Sequence, residues 1–316
     1  MIEDVDHWGK GAPRRKSLSA VKAALAMNRK PWICDACGEA RSDKDEDCQQ
    51  CSLPDPIQGF RSPGVHRRRI FSLSLGDWLD DEVPIEWLAD MLDTIRKCDQ
   101  VTWILCSKRW ENWESRLRGV CVHLQSLSNR GLIEDHTKHK AWQLCNQWLP
   151  WNGIHRFSPP ANIIGLCSVE NQKMALKRVP ELIQTPLACR GLSLEPLLGP
   201  VDFILSKDSI PPISVLNTGS IEWLIIGGES GSGPAARPCN VEWIRSLVQQ
   251  GQAAGVATFV KQLGQFPTAP QNKFWPEATF VHFCPEYNLV KLTDKKGGDP
   301  SEWSPDLRIQ QWPKGF

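Results

Sequence analysis

The segment NIIGLCSVENQKMALKRVPELIQ, residues 162–184, holds one complete unit of the chain's architecture. Its opening run, 162–167, does not alternate polar with apolar residues, which is the pattern of a strand covered on both faces. Ser168 and Glu170 end the run. Residues 171–183 then repeat apolar positions three and four apart, the spacing of a helix that buries one face. The same order recurs along the chain. Runs 70–75, 101–106, 189–194, 223–226 and 257–260 are further strand candidates, and 85–97 (IEWLADMLDTIRK) and 241–254 are further helix candidates. Strand then helix, repeated, predicts an α/β fold whose sheet is mainly parallel and joined by right-handed crossovers.

Such a repeat either curls into a parallel (β/α) barrel or partial barrel of about six strands, or winds into an open sheet. The residues at the strand ends favour the barrel. They are Gly76 and Asp77, then Ser107, Lys108 and Arg109, then Ser168 and Glu170, then Glu195, then Gly227, Gly228 and Glu229, then Lys261 and Gln262. A barrel gathers the C-terminal ends of all its strands at one mouth, where an open sheet would set them in a row. The expected ligand-binding set is therefore Asp77, Lys108, Arg109, Glu170, Glu195, Gly227, Gly228, Glu229, Lys261 and Gln262. Its carboxylates can act as bases, metal ligands or hydrogen-bond acceptors, and its cations can hold a phosphate or a carboxylate. In IIGGESGSG (225–233) the glycines let a ligand approach the backbone closely. This is not G-x-G-x-x-G, so no dinucleotide reading follows, and no G-x-S-x-G elbow, Walker A loop or H-E-x-x-H helix occurs. No residue is assigned as catalytic.

The remaining segments divide around that body. Residues 1–33 read as a basic arm with one short helix at 18–28, and 34–64 as a four-cysteine knuckle followed by a Pro/Gly-rich linker. Residues 65–265 make the partial barrel, interrupted at about 119–160 by a helical or irregular insertion expected near the mouth. Residues 266–316 read as an irregular tail packed on the barrel.

The knuckle is CDACGEARSDKDEDCQQC, with Cys34, Cys37, Cys48 and Cys51 in the form C-x2-C-x10-C-x2-C. Each C-x2-C turn aims two thiolates at one point, and two turns complete a tetrahedral S4 set for a structural Zn2+. Iron, as a single atom or a cluster, uses the same ligands. Basic runs flank the knuckle at Arg14, Arg15 and Lys16 and at Arg67, Arg68 and Arg69, so a nucleic acid or nucleotide is the expected partner, held through phosphates.

The net charge of +1, from 37 basic and 36 acidic residues, confines any such binding to local patches. No apolar run reaches the length of a membrane span and the first residues lack an apolar signal core, so the chain is read as cytoplasmic with no membrane partner. Eight scattered cysteines fit reduced, buried thiols, and the 15 tryptophans fit packing, since aromatic rings chiefly contribute buried area. His136, His139 and His155 lack ligand spacing. The oligomeric state has no signature.

Several separate blocks carry a resemblance: WGKGAPRR, RIFSLSLGDWLDDEVP, SKRWENW, IIGLCSVENQ, LSLEPLLGPVD, WLIIGGESGSGPAARP, FVKQLG and KGGDPSEWSPDLR. Together they resemble the phage Gp-thirty-seven/Gp-sixty-eight family, bacteriophage and prophage proteins of unknown function. The resemblance implies a partial barrel similar to that of radical S-adenosylmethionine enzymes, acting on a nucleic acid, nucleotide or modified base. It also implies S-adenosylmethionine and a [4Fe-4S] cluster held by three cysteines in an N-terminal motif. Residues 1–33 hold no cysteine, and the knuckle is similar to an insertion of some members rather than to that motif. The expectation is that cluster chemistry needs the motif to lie upstream. The alternative expectation is a non-catalytic module that binds nucleic acid or protein through the knuckle and basic arm.

Overall fold

The structure is a computed structural model that describes residues 18–30, 32–34, 40–41, 65–72, 76–150, 158–206, 213–230, 236–270, 279–282 and 287–316. Six strands form the main sheet: β1 (Arg69–Ser72), β2 (Thr102–Ser107), β3 (Ile163–Ser168), β4 (Cys189–Leu194), β5 (Trp223–Gly227) and β6 (Ala257–Gln262). Every pairing is parallel and the spatial order is β6-β5-β4-β3-β2-β1. A strictly sequential order is what a barrel needs, yet β1 and β6 remain the two edges. The sheet curls into a half-barrel, the partial form of the expected barrel.

The helices are α1 (Leu18–Arg29), α2 (Ile85–Lys97), α3 (Trp113–Asn129), α4 (Lys140–Trp148), α5 (Gln172–Gln184) and α6 (Val241–Ala253). Local chemistry sets their ends. The Asn171 side chain accepts from Met174 N at 3.1 Å at the start of α5, and Asn240 accepts from Glu242 N at 2.9 Å at the start of α6. Helix α2 opens with Glu86 and closes with Arg96 and Lys97, each sign placed where the helix dipole favours it.

Alternate strand residues serve two separate cores. Trp103, Leu105, Ile163, Leu192, Leu224 and Ile226 face the helices. The other register, Ile104, Ile164, Leu166, Cys189, Trp223 and Ile225, forms a smaller cluster on the inner face, joined by Phe259 and Phe316. The outer wall carries a tryptophan stack in which Trp78 lies 6.1 Å from Trp148 and meets Trp110 edge-on at 5.6 Å. Gly165 is small for a reason: a Cβ there would lie 2.8 Å from the Trp110 ring and 2.5 Å from a Leu187 methyl.

Among the described residues no helix covers the inner face; the C-terminal segment does. Val260 N donates to Ile309 O and Gln311 N to Thr258 O, both at 2.8 Å, which lays the segment along β6. Trp312 then stacks 4.8 Å from Trp223, and the Arg69 guanidinium sits 3.8 Å over the Trp312 ring. Arg69 Nη2 also donates to Phe316 O at 3.0 Å, so this strap reaches β1. The two edges of the half-barrel are thus connected at the end where the strands begin.

Two expectations need correction. The segment taken as an insertion near the mouth forms α3 and α4, which pack on α2 along the outer wall, because their buried faces (Leu117, Val120, Leu144, Trp148) complete the helix-side core. The tail taken as irregular contains strands Pro267–Pro270, Thr279–His282 and Tyr287–Lys291, which join Cys239–Asn240 in a second sheet. Strand 287–291 alternates Leu289 and the buried Val290 with polar residues only weakly, which hid it. The short helix expected at 18–28 forms as α1 and docks on α2, with Ala24 buried and Asn28 bonded to Lys97 O and Gln100 N at 3.2 and 2.9 Å. As for the knuckle, Cys37, Cys48 and Cys51 lie outside the described residues, and of Cys34 only the backbone is described, ending strand Trp32–Cys34.

Candidate functional site at the half-barrel mouth

Parallel strands in sequential order end side by side, so the residues following them share one rim, each about 4.8 Å from the next in the hydrogen-bonding direction. Contacts between them cross from strand to strand. Lys108 Nζ, after β2, lies 3.0 Å from Glu170 Oε1, after β3. Glu170 Oε2 takes a second cation, Arg178 Nη1 from α5, at 2.8 Å, and the same guanidinium donates to Ser168 O at 2.9 Å. Glu170 is only 8% exposed. Burial pushes its pKa up, but hydrogen bonding from Lys108 and the charges of Lys108 and Arg178 outweigh that, leaving the carboxyl below the usual glutamate value.

A second group spans β4, β5 and β6. Lys261 Nζ lies 3.0 Å from both oxygens of Glu195, and Gln262 Nε2 bridges Glu195 Oε1 at 3.0 Å and Gly228 O at 2.9 Å. Glycine is required beneath this clamp. A Cβ on Gly228 would lie 2.2 Å from Leu263 O, and Gly264, with φ of +92°, packs its backbone against Gly228. Gly297 O receives Leu263 N and the Trp303 indole N–H, at 2.8 and 3.0 Å, so the late KGGDPSEW block supports the same turn.

Asp77 and Arg109 make a third group. Asp77 accepts from Ser107 Oγ at 2.6 Å, from Lys108 N at 2.8 Å and from Arg109 Nη1 at 3.1 Å, which fixes the β2 terminus against the loop after β1. Arg109 also approaches Asp80 at 3.8 Å. Glu229 forms a two-pronged pair with Arg237 at 2.8 and 2.9 Å, and this hydrogen bonding lowers the Glu229 pKa.

All ten residues of the expected ligand-binding set therefore stand on one rim, grouped as three clusters plus the Glu229 pair. Asp77 and Arg109 act mainly as a brace for backbone, while Lys108 and Lys261, with side chains 52% and 53% exposed, keep donors open to solvent. Sequence reading missed Arg178, Arg237 and the inner hydroxyl of Ser193, which joins that of Ser168. Arg178 sits one helical turn-pair beyond Glu170 on a helix read only for its apolar face. Below the rim, Cys106 meets both hydroxyls, yet burial dominates and its thiol is pushed up to about 12, so it is protonated at neutral pH.

Residues 20–300 match the family described as a protein of unknown function (DUF5131). The chain belongs to that family. No curated protein and no solved structure matches it. The DUF5131 match takes in the whole rim, from Asp77 to Gln262, and ends before the inner strap at 309–316. Among the described residues no helix is long and apolar enough to cross a membrane.

Two implied groups can be compared with these residues. A [4Fe-4S] cluster needs three converging thiolates. Among the described residues no three metal-ligating side chains gather, and Cys106, the thiol below the rim, is held protonated. The described residues do not fit the cluster, and no chemical step is derived through it. The knuckle cysteines fit a tetrahedral metal by spacing and residue type, with Cys34 ending a strand paired to Ala40–Arg41.

Proposed function

We propose that the half-barrel mouth binds a small molecule bearing both an ammonium and a carboxylate, in the first instance S-adenosylmethionine, and that the protein acts on a nucleic acid, nucleotide or modified base. The supporting observation is the pair of lysine–glutamate clamps, Lys108–Glu170 and Lys261–Glu195, whose lysines are half exposed, the second clamp standing beside the glycine turn at 227–228. A zwitterion can enter such clamps by partner exchange: its carboxylate takes a lysine and its ammonium takes the glutamate released. Exchange preserves the number of ion pairs, so little desolvation is left uncompensated. The resemblance to radical S-adenosylmethionine barrels of phage and prophage proteins points to the same ligand.

Calorimetric titration of the full chain with S-adenosylmethionine tests this reading. Binding is expected, and the double variant Glu195→Gln/Lys261→Met should weaken it at least about tenfold, the loss of one charge-assisted pair. Absence of binding at millimolar ligand would end the proposal.

A second reading is a binding module built on the knuckle. It is favoured by the antiparallel pairing of Trp32–Cys34 with both Ala40–Arg41 and Val65–Arg67, which places Cys34 within a small three-stranded sheet, and by the Arg67 guanidinium 5.3 Å over the Trp32 ring. Elemental analysis should find about one zinc per chain, lost in Cys48→Ser; metal-free wild-type protein would dismiss the knuckle.

A further inference from the structure

At the opposite end of the sheet from the mouth, a cleft of about 390 Å³ opens between α2, α4 and the segments that lead into β1, β2 and β3. Strands of six residues, rising about 3.3 Å each, put it some 20 Å from the rim, so it is a separate place. Its volume lies in the range of small-molecule sites, which combine apolar walls with a few converging polar groups. Ile95, Leu144, Pro159, Pro160 and Ala161 supply the apolar walls.

Its charge is unbalanced. Arg67 and Arg96 line it against one acid, Asp99. At the mouth every arginine or lysine of the rim has a carboxylate; here neither arginine makes an ion pair among the described residues. Arg96 Nε is buried without a hydrogen-bond partner, and Arg67 is held by the Trp32 ring rather than by an anion. A buried, unsatisfied guanidinium N–H is costly and therefore uncommon in a finished fold. An anionic ligand would satisfy it. The C-terminal dipole of α2 opposes an anion here, so the arginines must provide the attraction. Asn162, also in the lining, has its amide committed to Cys98 O and Val101 O, which fixes the cleft's floor rather than offering it to a ligand.

We infer that this cleft binds the phosphate of a nucleotide, with Arg67 and Arg96 on the phosphate and the proline–alanine wall against the base. Guanidinium forks match phosphate oxygens, and flat apolar walls accept an aromatic ring. A free mononucleotide and a nucleotide within a single strand share this chemistry.

The test uses the full chain and three probes: 5′-AMP, inorganic phosphate and a single-stranded dodecathymidylate. The expected result is binding of 5′-AMP that Arg96→Gln and Arg67→Gln each weaken about tenfold while their far-ultraviolet circular dichroism and thermal midpoints match wild type. The mouth variant Glu195→Gln/Lys261→Met should bind 5′-AMP as wild type does, which separates this site from the proposed S-adenosylmethionine site. Tighter, salt-sensitive binding of the oligonucleotide, weakened by the same two variants, supports the inference and places the nucleotide in a strand. Inorganic phosphate binding as well as 5′-AMP would overturn the nucleotide assignment. Failure of all three probes, or arginine variants that bind like wild type, would overturn the site.

Discussion

The two ends of the main sheet handle charge in opposite ways. At the C-terminal end Glu170, Glu195, Asp77 and Glu229 each hold a cation within about 3 Å, and the rim is neutral by construction. At the N-terminal end Arg69 lies over Trp312 and Arg67 over Trp32, so guanidinium groups meet rings where the rim would supply carboxylates. Ring contacts leave the guanidinium hydrogens free to serve another acceptor; carboxylates consume them. The rim is thus a set of pairs that must be broken to admit a ligand, whereas at the base Arg67 meets a ring and no carboxylate among the described residues. The difference also divides labour: apolar stacking holds the strap at the base, while paired charge holds the strand ends at the mouth.

The largest expected effect comes from the base. Trp223 is 1% exposed, packs at a tilt on Trp312, meets Phe259 edge-on, and donates its indole N–H to Gln311 O at 3.0 Å. Trp223→Ala should destabilise the chain by about 4 kcal/mol, as large aromatic truncations in cores do. It should also loosen 309–316, visible as faster amide exchange at Gln311. A loss below about 1 kcal/mol would mean that the inner cluster does not hold the half-barrel together.

The next effect belongs to the mouth. Arg178→Met removes the more buried of the two cations on Glu170 and leaves this buried carboxylate only the half-exposed Lys108, a loss of up to about 3 kcal/mol. The double variant Arg178→Met/Glu170→Gln should recover most of that, because the buried charge is gone and Lys108, which loses its partner, is half exposed to water. Urea unfolding of the single and double variants measures the coupling. Additive losses would show that Glu170 is solvated and that the rim is not a set of dependent pairs.

Much of this arrangement was legible before any coordinates. The expected limits of strand 189–194 and helix 85–97 are the observed ones: IEWLADMLDTIRK repeats apolar residues three and four apart, and CRGLSL is too short for a helix and stops at Glu195. The strand-end residues were legible because a parallel half-barrel must bring them to one rim. Their pairing was not, since Arg178 and Arg237 reach the rim from a helix and a turn, and periodicity says nothing of where a long side chain points. The tail was expected to pack on the barrel, but its place along the inner face was not legible: Trp312 and Phe316 sit in a segment without periodic pattern, and their ring contacts are decided by the inner face of a barrel half closed. The cleft arises where 158–162, 95–99 and Arg67 converge, a junction that no single stretch of sequence signals.

A smaller effect separates folding from binding at the rim. Lys261→Met should change stability by under about 1 kcal/mol, because the Lys261 side chain is half exposed and such pairs contribute little in water. Denaturant midpoints close to wild type, together with weakened ligand binding, would sharpen the contrast with the structural pair at Arg178. A loss of several kcal/mol would instead make Lys261 part of the scaffold.

The smallest effect is in the pH dependence of that scaffold. Glu170 in the folded protein titrates below its ordinary value of 4.5. A carboxyl depressed by folding contributes stability that is fully present above its unfolded pKa and is lost as pH falls through 4.5 and past the folded value. Glutamine at 170 does not titrate, so the stability gap between wild type and Glu170→Gln should be constant from pH 7 down to about 5. It should then narrow steadily toward pH 3. Urea midpoints for both proteins across that range would show it. A gap that widens on acidification would mean that Glu170 is protonated in the folded state, and that the mouth, like the base, carries an unneutralised cation.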